Sequence, residues 1–477
     1  MRIQRGLNVM LVIMALLLGV LSVPDTVKAA EKKTVELNKK TVTLLVGRTQ
    51  KLTLKNAPKN KTITWKSSNK KIATVTKKGK VTAKKQGKTT ITAKAGKKKY
   101  TCKVTVIKKN ASDVAALKKL IKQQRKAGAS VPKDIDDYRY TWNEEGRLSG
   151  ISWWAKNLKG TISFSKFPAL EELNIGRNRL TGLDVSRNQN LKYIECSENG
   201  LVNLNVDSNA DLETLYCDSN RLTELNISQN TKLMQFDCSY NKLANLNVDS
   251  NADLKLLQCA HNQLTKLNIS QNTKLALLNC AANQLTNLDI SKNTALKSLE
   301  CGNNKLTMLD TTMNTDLEYL ECHSSQLTNL DVSRNQNLTY LDCGDNQLAV
   351  LDVHWQEALE MLDCSHNQLT SLDMTKNMVL EILDCQCNKL NLLDVSNNQQ
   401  LYELRCYENQ ITELNVKKSE PLWRLECNDN KLTQLDVSNN LWLYELYCYN
   451  NQITELNLKN NKRLMKLEHD DNVKVTR

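Results

Sequence analysis

The sequence predicts a mainly β protein: an N-terminal β-sandwich, then a helical and irregular cap, then a right-handed solenoid of about 15 rungs. Three observations predict this order. Short apolar–polar alternations fill the first hundred residues, a helical apolar period follows, and a 21-residue repeat runs on to residue 477. We therefore divide the chain into a leader at 1–29, a sandwich at 31–109, a cap at 110–170 and a solenoid at 171–477.

The leader carries the three parts of a secretory signal peptide in their usual order. Arg2 and Arg5 precede an apolar run at 9–21, and Val27-Lys28-Ala29 supplies small or apolar residues before a cleavage point. The run is shorter than the roughly 20 residues of a transmembrane helix; a retained membrane anchor is the alternative. We expect an exported protein, secreted or at a cell surface, without a transmembrane segment in the mature chain.

Charge separates the sandwich from the rest of the chain. Residues 31–109 hold 25 Lys and Arg against 2 acids, a net charge of +23, whereas 110–477 hold 38 bases and 48 acids, a net charge of −10. The overall +15 therefore hides a basic module joined to an acidic one. Such asymmetry predicts partners of opposite charge, and an anionic envelope polymer is a possible partner of the lysine-rich module.

The basic module shows seven short strands separated by turn residues. Apolar residues alternate with polar ones at 42–46, 52–54, 63–65, 72–75, 81–83, 89–93 and 100–106. The segment WKSSNKKIATVTKKGKVTAKKQGKTTITAK closely resembles the bacterial immunoglobulin-like group 2 domain, over about 35–107. The resemblance implies a spacer or adhesive module of a bacterial surface protein. We expect Trp65 in the core and Cys102 at a polar-facing or edge position.

The cap begins with a helical pattern at 112–127. Ser112 is the expected N-cap and Gly128 the expected stop, and one face carries Val114, Leu117, Leu120 and Ile121. The rest of the cap is irregular and rich in tryptophan. We expect it to cover the open end of the solenoid, whose first coil would otherwise expose apolar core and unpaired backbone.

The repeat is the strongest signal in the chain. It reads LxxLxCxxNxLTxLDVSxNxx, with Ile175 and His469 in the cysteine place one rung before and one rung after the cysteines, and with Asn three residues after this place in every rung except at Ser325. Such a unit is a leucine-rich repeat. The cysteine ladder recurs every 21 residues at Cys196, Cys217, Cys238, Cys259, Cys280, Cys301, Cys322, Cys343, Cys364, Cys385, Cys406, Cys427 and Cys448.

This 21-residue form, with cysteine in the third apolar place, resembles the cysteine-ladder internalins over about 170–477. The resemblance implies a bacterial surface protein that binds host molecules. An LPxTG-type sorting signal and a charged C-terminal membrane tail, which internalin-like proteins carry, do not occur in the sequence, so covalent wall anchoring is not expected.

The ladder cysteines are expected to be buried free thiols. Parallel inward side chains on neighbouring rungs keep their Cβ atoms about 4.8 Å apart, beyond the roughly 3.5–4.5 Å of a disulfide. A straight column also lacks the converging directions that a metal site needs. Asn199 is expected to turn its amide inward to the backbone at the bend after the strand. Cys387, in a loop, is either exposed and reactive or tucked in.

Ligand contacts are expected at the outward positions that flank the inward ones. A stripe of acids there, when solvated, attracts cationic partners, and aromatic side chains are favoured at interfaces. The alternative is that the acids belong to the repeat consensus, as a second column from Asp289 to Asp394 suggests. The candidate ligand-binding residues are Glu300, Glu321, Asp342, Asp363, Asp384, Tyr319, Tyr340, Tyr407, Trp355 and Trp423.

Catalysis finds no support in the sequence. The five histidines form no HExxH pair, no GxSxG motif occurs, and the carboxylates follow a regular lattice. We therefore expect no enzyme, no cofactor, no metal and no nucleic-acid partner. The predicted function is that of an adhesin-like monomer that binds a protein or glycan at a cell surface through the strand face between about Tyr319 and Glu426. The alternatives are a structural spacer and a polysaccharide-acting enzyme.

Overall fold

The computed structural model describes residues 34–57 and 62–477. They fall into two compact units, one ending at Lys108 and the other formed by Lys109–Arg477. The predicted leader at 1–29 lies outside the described residues.

The first unit is a β-sandwich. One sheet has the order β2-β9-β8-β5, a second β3-β7-β6, and β1 pairs with β4. Leu52, which we expected in a strand, lies between β3 and β4. The strands are β1 (Glu36–Leu37), β2 (Thr41–Leu45), β3 (Thr49–Lys51), β4 (Leu54–Lys55), β5 (Ile63–Ser67), β6 (Ala73–Val75), β7 (Lys80–Ala83), β8 (Gly87–Ala95) and β9 (Lys98–Ile107).

Alternating side chains of these strands build the sandwich core. Trp65 is partly buried and packs against it, as expected. Gly79 has φ +79°, and a Cβ there would lie 2.8 Å from the Trp65 ring, so both the turn and the ring require glycine. The expectation for Cys102 was wrong. β9 lies between β2 and β8, and Cys102 points into the core together with Val104 and Val106.

The second unit begins with helix α1 (Ala111–Lys126). Its N-cap is Asn110, whose side chain accepts a hydrogen bond from the Asp113 backbone N–H, so the expected cap at Ser112 was wrong. Asp113 is buried and pairs with Arg147 at 2.8 Å. This ion pair fixes the start of the helix to the hairpin that follows. At the other end Gly128 adopts φ +94°, which stops the helix.

The rest of the cap joins the solenoid sheet. Strands β10 (Tyr140–Trp142) and β11 (Leu148–Ser152) pair antiparallel, and β11 continues parallel to the first repeat strand. β12 (Lys159–Ser163) pairs parallel with the strand at Arg179–Asp184 in a separate two-stranded sheet. The fully buried Trp153 contacts the rings of Tyr140 and Phe164, each with its centroid 6.2 Å away. The cap therefore supplies one further turn to the solenoid.

The solenoid sheet holds 17 strands, of which 16 are parallel and β10 is antiparallel. We expected about 15 rungs; β11 of the cap adds the sixteenth. The remaining strands are β13 (Glu172–Asn174), β14 (Arg179–Asp184), β15 (Tyr193–Glu195), β16 (Thr214–Tyr216), β17 (Gln235–Asp237), β18 (Leu256–Gln258), β19 (Leu277–Asn279), β20 (Ser298–Glu300), β21 (Tyr319–Glu321), β22 (Tyr340–Asp342), β23 (Met361–Asp363), β24 (Ile382–Asp384), β25 (Leu393–Asp394), β26 (Glu403–Arg405), β27 (Leu414–Asn415), β28 (Arg424–Glu426), β29 (Glu445–Tyr447), β30 (Glu455–Asn457), β31 (Lys466–Glu468) and β32 (Lys474–Thr476).

The inner wall of the solenoid matches the predicted phase. Leu191, Ile194, Cys196, Leu201 and Val206 are fully buried in one rung. All 13 ladder cysteines are at most 1% exposed, and within the described residues they are free thiols. Burial raises the pKa of these thiols well above the usual 9.0, with Cys280 at about 12. They therefore pack as small apolar groups.

Two columns of amide side chains tie each rung to the one before. The Asn199 amide donates to the carbonyls of Ile175 at 3.1 Å and Cys196 at 3.0 Å, and its oxygen accepts from the Leu180 N–H at 3.0 Å, as expected. In the second column Asn209 donates to carbonyls of the rung before. Gln356 and Ser419 donate to backbone carbonyls in this second column, so these departures from the consensus preserve its contacts.

Within 34–57 and 62–477, no helix combines the length and the apolar composition that crossing a membrane requires.

Candidate binding face

The outer face of the solenoid sheet is built by the residues three and one before the ladder position. In a strand, successive side chains alternate between faces, so these places point outward while the residue between them points into the core. Adjacent rungs pair in register, so residues 21 apart become neighbours on the face. A column along the sequence is thus a column on the surface.

The predicted stripe is continuous. Glu300 pairs in register with Glu321, Glu321 with Asp342, Asp342 with Asp363 and Asp363 with Asp384. The expectation of a solvated stripe, however, was wrong in part. These carboxylates are half-buried, and Asp384 is only 4% exposed. Close neighbours on each side of the column exclude water from them.

Several carboxylates in this place also hold the backbone. Asp342 accepts a hydrogen bond from the Gly344 N–H at 3.1 Å, and Asp363 accepts one from the Ser365 N–H at 3.0 Å. Glu195 and Asp237, early in the repeat, accept from the residue two places on at 2.9 Å each. An acid at this place therefore has a structural role, which does not depend on a ligand.

Burial and like charge change the protonation of the stripe. Burial, with a smaller contribution from Glu321, raises the pKa of Glu300 to about 7. Burial and the neighbouring Asp363 raise the pKa of Asp342 to about 7 in the same way. Several of these carboxylates thus titrate near neutral pH.

His323 sits beside the stripe and partly compensates it. Its Nε2 lies 2.9 Å from Glu321 Oε1, and its Nδ1 lies 2.9 Å from Ser324 Oγ. The hydrogen bond to Glu321 raises the pKa of His323. Burial opposes ionisation of Glu321, but hydrogen bonds from His323 and Tyr319 outweigh it and lower the pKa of this carboxyl. The Tyr319 and Tyr340 rings stack at 4.2 Å. We call Glu300, Glu321, Asp342 and Asp363 the acidic strip.

Beyond Asp363 the same face changes character. Arg405 pairs with Asp384 at 3.1 Å and with Glu403, and Arg424 pairs with Glu445 at 3.2 Å and with Glu426. The Arg405 and Arg424 side chains are only 27% and 25% exposed. We call this network of two arginines and four carboxylates, Asp384, Glu403, Glu426 and Glu445, the paired strip.

The predicted aromatic residues do not form one site. Tyr319 and Tyr340 lie on the acidic strip, and Tyr407 lies just after the ladder position of the paired strip. Trp423 flanks the sheet, where it stacks between Tyr402 at 5.9 Å and Tyr444 at 5.3 Å. Trp355 is 52% exposed in a loop corner and contacts His354.

The second acidic column, from Asp289 to Asp394, has a structural explanation. Each carboxylate accepts the backbone N–H two residues on, as Asp289 does from Ser291 at 2.9 Å. Asparagine does the same in other rungs, as at Asn247. These residues cap turns and need no ligand.

The candidates for reactivity and metal binding are weak. Cys387 is half-buried, with φ +53°, and its thiol lies 3.4 Å from Glu408. Burial and the Glu408 carboxylate raise the pKa of Cys387 to about 12, which leaves little thiolate at neutral pH. In the part of the chain that the structure describes, no group of three or more His, Cys, Asp or Glu is arranged to hold a metal ion.

Sequence reasoning missed the arginine pairing and the aromatic stack. Both were readable from the repeat. Arg405 and Arg424 stand in outward places of adjacent rungs, and Tyr402, Trp423 and Tyr444 are spaced by 21 residues. The signal was the departure of whole columns from the consensus.

Comparison with known proteins identifies both modules. Residues 31–118 match the profile of the bacterial Ig-like domain (group 2). No curated protein matches the chain. Among solved structures, the functional domain of InlJ from Listeria monocytogenes, which includes a cysteine ladder, is 38% identical, with a TM-score of 0.63 over 64% of this chain and 68% of that chain.

Two less similar structures share the fold alone. A leucine-rich-repeat protein of Leptospira interrogans is 24% identical, with a TM-score of 0.58 over 64% of this chain and 90% of its own. The ectodomain of the Arabidopsis thaliana receptor kinase GASSHO1/SCHENGEN3, in complex with CASPARIAN STRIP INTEGRITY FACTOR 2, is 20% identical, with a TM-score of 0.53 over 67% and 50%. The predicted resemblances to Ig-like domains and to cysteine-ladder internalins are confirmed.

Proposed function

Because the chain belongs to the cysteine-ladder internalins, a family of bacterial leucine-rich-repeat proteins, we propose that it is an exported surface protein whose acidic strip binds a basic segment of a partner protein. The leader at 1–29 would direct the export. The solenoid would act as a rigid frame that holds the outward side chains at fixed spacing.

The observation that carries this proposal is the lack of compensation on the acidic strip. Within the described residues, no lysine or arginine pairs with Glu300, Asp342 or Asp363, whereas arginines cross-link the carboxylates of the paired strip. Half-buried carboxylates in a row are costly to keep ionised. A lysine or arginine from a partner would lower the raised pKa values of Glu300 and Asp342 and relieve that cost.

The test uses a charge-matched pair of variants. Glu321→Gln/Asp342→Asn/Asp363→Asn removes three charges from the acidic strip. Asp289→Asn/Asp331→Asn/Asp352→Asn removes three charges from the turn-capping column, where Asn already serves in other rungs. Purified parent and variants are applied to arrays of basic peptides, acidic peptides and glycans, and binding is measured at low and high salt.

We expect the parent to bind basic peptides with an affinity that falls as salt rises. The strip variant should bind about ten-fold more weakly with a flatter salt response, while the column variant keeps the parent's behaviour. Equal binding by parent and strip variant would contradict the proposal. Glycan binding alone would favour a lectin-like role. Absence of binding on all arrays would favour a structural spacer. Release of sugar in a reducing-sugar assay would favour a polysaccharide-acting enzyme.

A second function is favoured by the first unit. Every lysine and arginine described between 34 and 108 is exposed. We propose that this surface binds anionic envelope polymers, such as teichoic acids, through salt-sensitive attraction. The full chain should sediment with cell walls at low salt, detach at high salt, and fail to sediment with walls stripped of teichoic acid. Absence of sedimentation at low salt would contradict this proposal and would favour a role of the lysines in solubility.

A further inference from the structure

The loop corner that leads into each strand carries exposed apolar side chains in several rungs, and in the last three rungs these coincide with net positive charge. We define this corner as the seven residues from ten to four places before the ladder position. In early rungs the corners are polar, and ion pairs such as Lys232–Asp211 at 2.5 Å and Lys274–Asp253 at 2.6 Å join neighbouring rungs. In the last three rungs, at 417–423, 438–444 and 459–465, the same places carry aromatic and apolar side chains.

These side chains form a contiguous exposed surface, which we call the terminal corner patch. Leu441 and Trp442 are each 53% exposed, Met465 is 75% exposed and Tyr444 is 38% exposed. Trp423 stacks on Tyr444 at 5.3 Å, and the Met465 N–H donates to the Tyr444 carbonyl at 3.0 Å, so the three rungs adjoin. Isolated exposed apolar residues are ordinary on proteins, but a contiguous group indicates an interaction site.

The terminal corner patch is also basic. Its three segments hold five cations, Lys417, Lys418, Lys459, Lys462 and Arg463, against Glu420, a net charge of +4. The corners of the three preceding rungs, at 354–360, 375–381 and 396–402, hold one lysine against three glutamates, a net charge of −2. The apolar exposure and the positive charge thus coincide in one place on an otherwise acidic unit.

One contact joins the two properties. The Arg463 guanidinium lies over the Trp442 ring at 3.7 Å from the centroid. This arrangement holds a cation against the face of an exposed aromatic ring. Tryptophan, tyrosine and arginine with apolar neighbours are the residues that favour the boundary between lipid headgroups and acyl chains.

We propose that the terminal corner patch binds the surface of an anionic lipid bilayer. Leu441, Trp442 and Met465 enter the headgroup region, and Lys462 and Arg463 contact lipid phosphates. The charge matches that of anionic headgroups, and the apolar side chains lie on exposed turns that a bilayer surface can accept. The site is separate from the acidic strip, and it stands or falls independently of the binding function proposed above.

The experiment is flotation of the full chain with phosphatidylcholine vesicles that contain about one-third phosphatidylglycerol, compared with phosphatidylcholine alone. Leu441→Ser/Trp442→Ser should lower the partition coefficient about ten-fold, since two apolar side chains no longer enter the bilayer. Trp355→Ser is the matched control, because Trp355 is 52% exposed in a corner that carries net negative charge. It should bind as the parent does.

The lysines of the first unit could also attract these vesicles, and two measurements separate the contributions. High salt should weaken the contribution of the lysines, whereas the contribution of the apolar side chains should persist. Brominated lipids should quench tryptophan fluorescence in the parent and in Trp355→Ser, and much less in Leu441→Ser/Trp442→Ser. No flotation with the anionic vesicles, or equal flotation and quenching in the parent and the double variant, would overturn the proposal.

Discussion

The acidic strip and the paired strip occupy neighbouring rungs of one sheet, with the same backbone, the same inner leucines and the same cysteine ladder. Apart from Ser325, which interrupts the asparagine column in one rung of the acidic strip, the main difference lies at the outward places. Around the acidic strip those places hold carboxylates, tyrosines and one half-compensating histidine; in the paired strip they hold arginines between carboxylates. Among the described residues, no lysine or arginine pairs with the carboxylates of the acidic strip, whereas Arg405 and Arg424 pair with those of the paired strip.

This difference teaches that the scaffold and the surface are set by separate residues. Arg405 pairs with Asp384 from the adjacent strand, so an arginine in an outward column gives a buried carboxylate an ion-pair partner within the chain. Binding capacity can therefore be confined to a few rungs without any change in fold.

The largest loss of stability is expected in the buried cysteine ladder, which the two strips share. Cys343→Asp beneath the acidic strip and Cys427→Asp beneath the paired strip each bury an unpaired charge in a wall of fully buried side chains. Each should cost about 3–5 kcal/mol of unfolding free energy, measured by urea denaturation. Parent-like stability in either variant would contradict the inward position of that cysteine.

The next effect should appear only in the paired strip. Arg424→Gln leaves Glu445 without its arginine and Glu426 with Arg405 alone, at 3.8 Å, in a half-buried setting, and should cost about 2–3 kcal/mol. The control is Lys297→Gln, which breaks the pair with Glu318 on side chains that are 51% and 35% exposed and should cost less than about 1 kcal/mol. Equal losses of stability in the two variants, measured by thermal denaturation, would mean that burial does not strengthen the ion pairs of the paired strip.

A gain in stability is expected in one rung of the acidic strip, where a serine interrupts the column of asparagines. Ser325 hides its hydroxyl without a partner, whereas Asn346 one rung later donates to three carbonyls and accepts from the Leu327 N–H. Ser325→Asn should restore these bonds and stabilise the protein by about 1–2 kcal/mol. The reverse change, Asn346→Ser, should destabilise it. An unchanged melting temperature in both variants would show that the hydrogen bonds of the asparagine column do not contribute to stability.

The smallest effect concerns pH. Folding raises the pKa of Glu300 and Asp342 to about 7, from the usual 4.5 and 3.8. An acid whose pKa rises on folding binds more protons in the folded state, so its contribution is full below about pH 4 and is lost as pH rises to about 7. His323, whose pKa is also raised, acts in the same direction. Tm should therefore be higher at about pH 5.5 than at about pH 8.

Two variants assign this pH dependence to the acidic strip. Glu300→Gln/Asp342→Asn should stabilise the protein by about 1 kcal/mol at pH 8 and reduce the difference between the two pH values. Glu426→Gln in the paired strip should destabilise it, because Arg405 and Arg424 each lose one carboxylate partner. A Tm that rises with pH in the parent would be at odds with the raised pKa values.

Much of the fold was predictable because the same apolar pattern recurs in many rungs. A 21-residue period with inward Leu and Cys fixes which residues are buried, and Asn199 has one chemical role that its spacing reveals. Where a feature occurs once, prediction was less reliable. Asn110 competed with Ser112 for the helix cap, and Cys102 was misplaced although it alternates with the inward Val104 and Val106.

The candidate site was less predictable because its chemistry depends on distances between rungs. The columns of Glu300 and Asp342 were visible in the sequence, but their burial, and hence their raised pKa values, depends on the size of the neighbours. The hydrogen bond from His323 to Glu321 depends on a rotamer. The sequence places such side chains on one face; whether they pair is decided by packing.

The near-identity of certain rungs has a consequence for how such a protein changes over generations. LNVDSNADL at 204–212 returns at 246–254, and LNISQNTKL at 225–233 returns at 267–275. Each rung contacts its neighbours in register, so the two ends left by a lost or inserted rung still match. Recombination between such repeats in the gene adds or deletes whole rungs without disturbing the reading frame. The length of the solenoid is thus heritable variation that the fold tolerates.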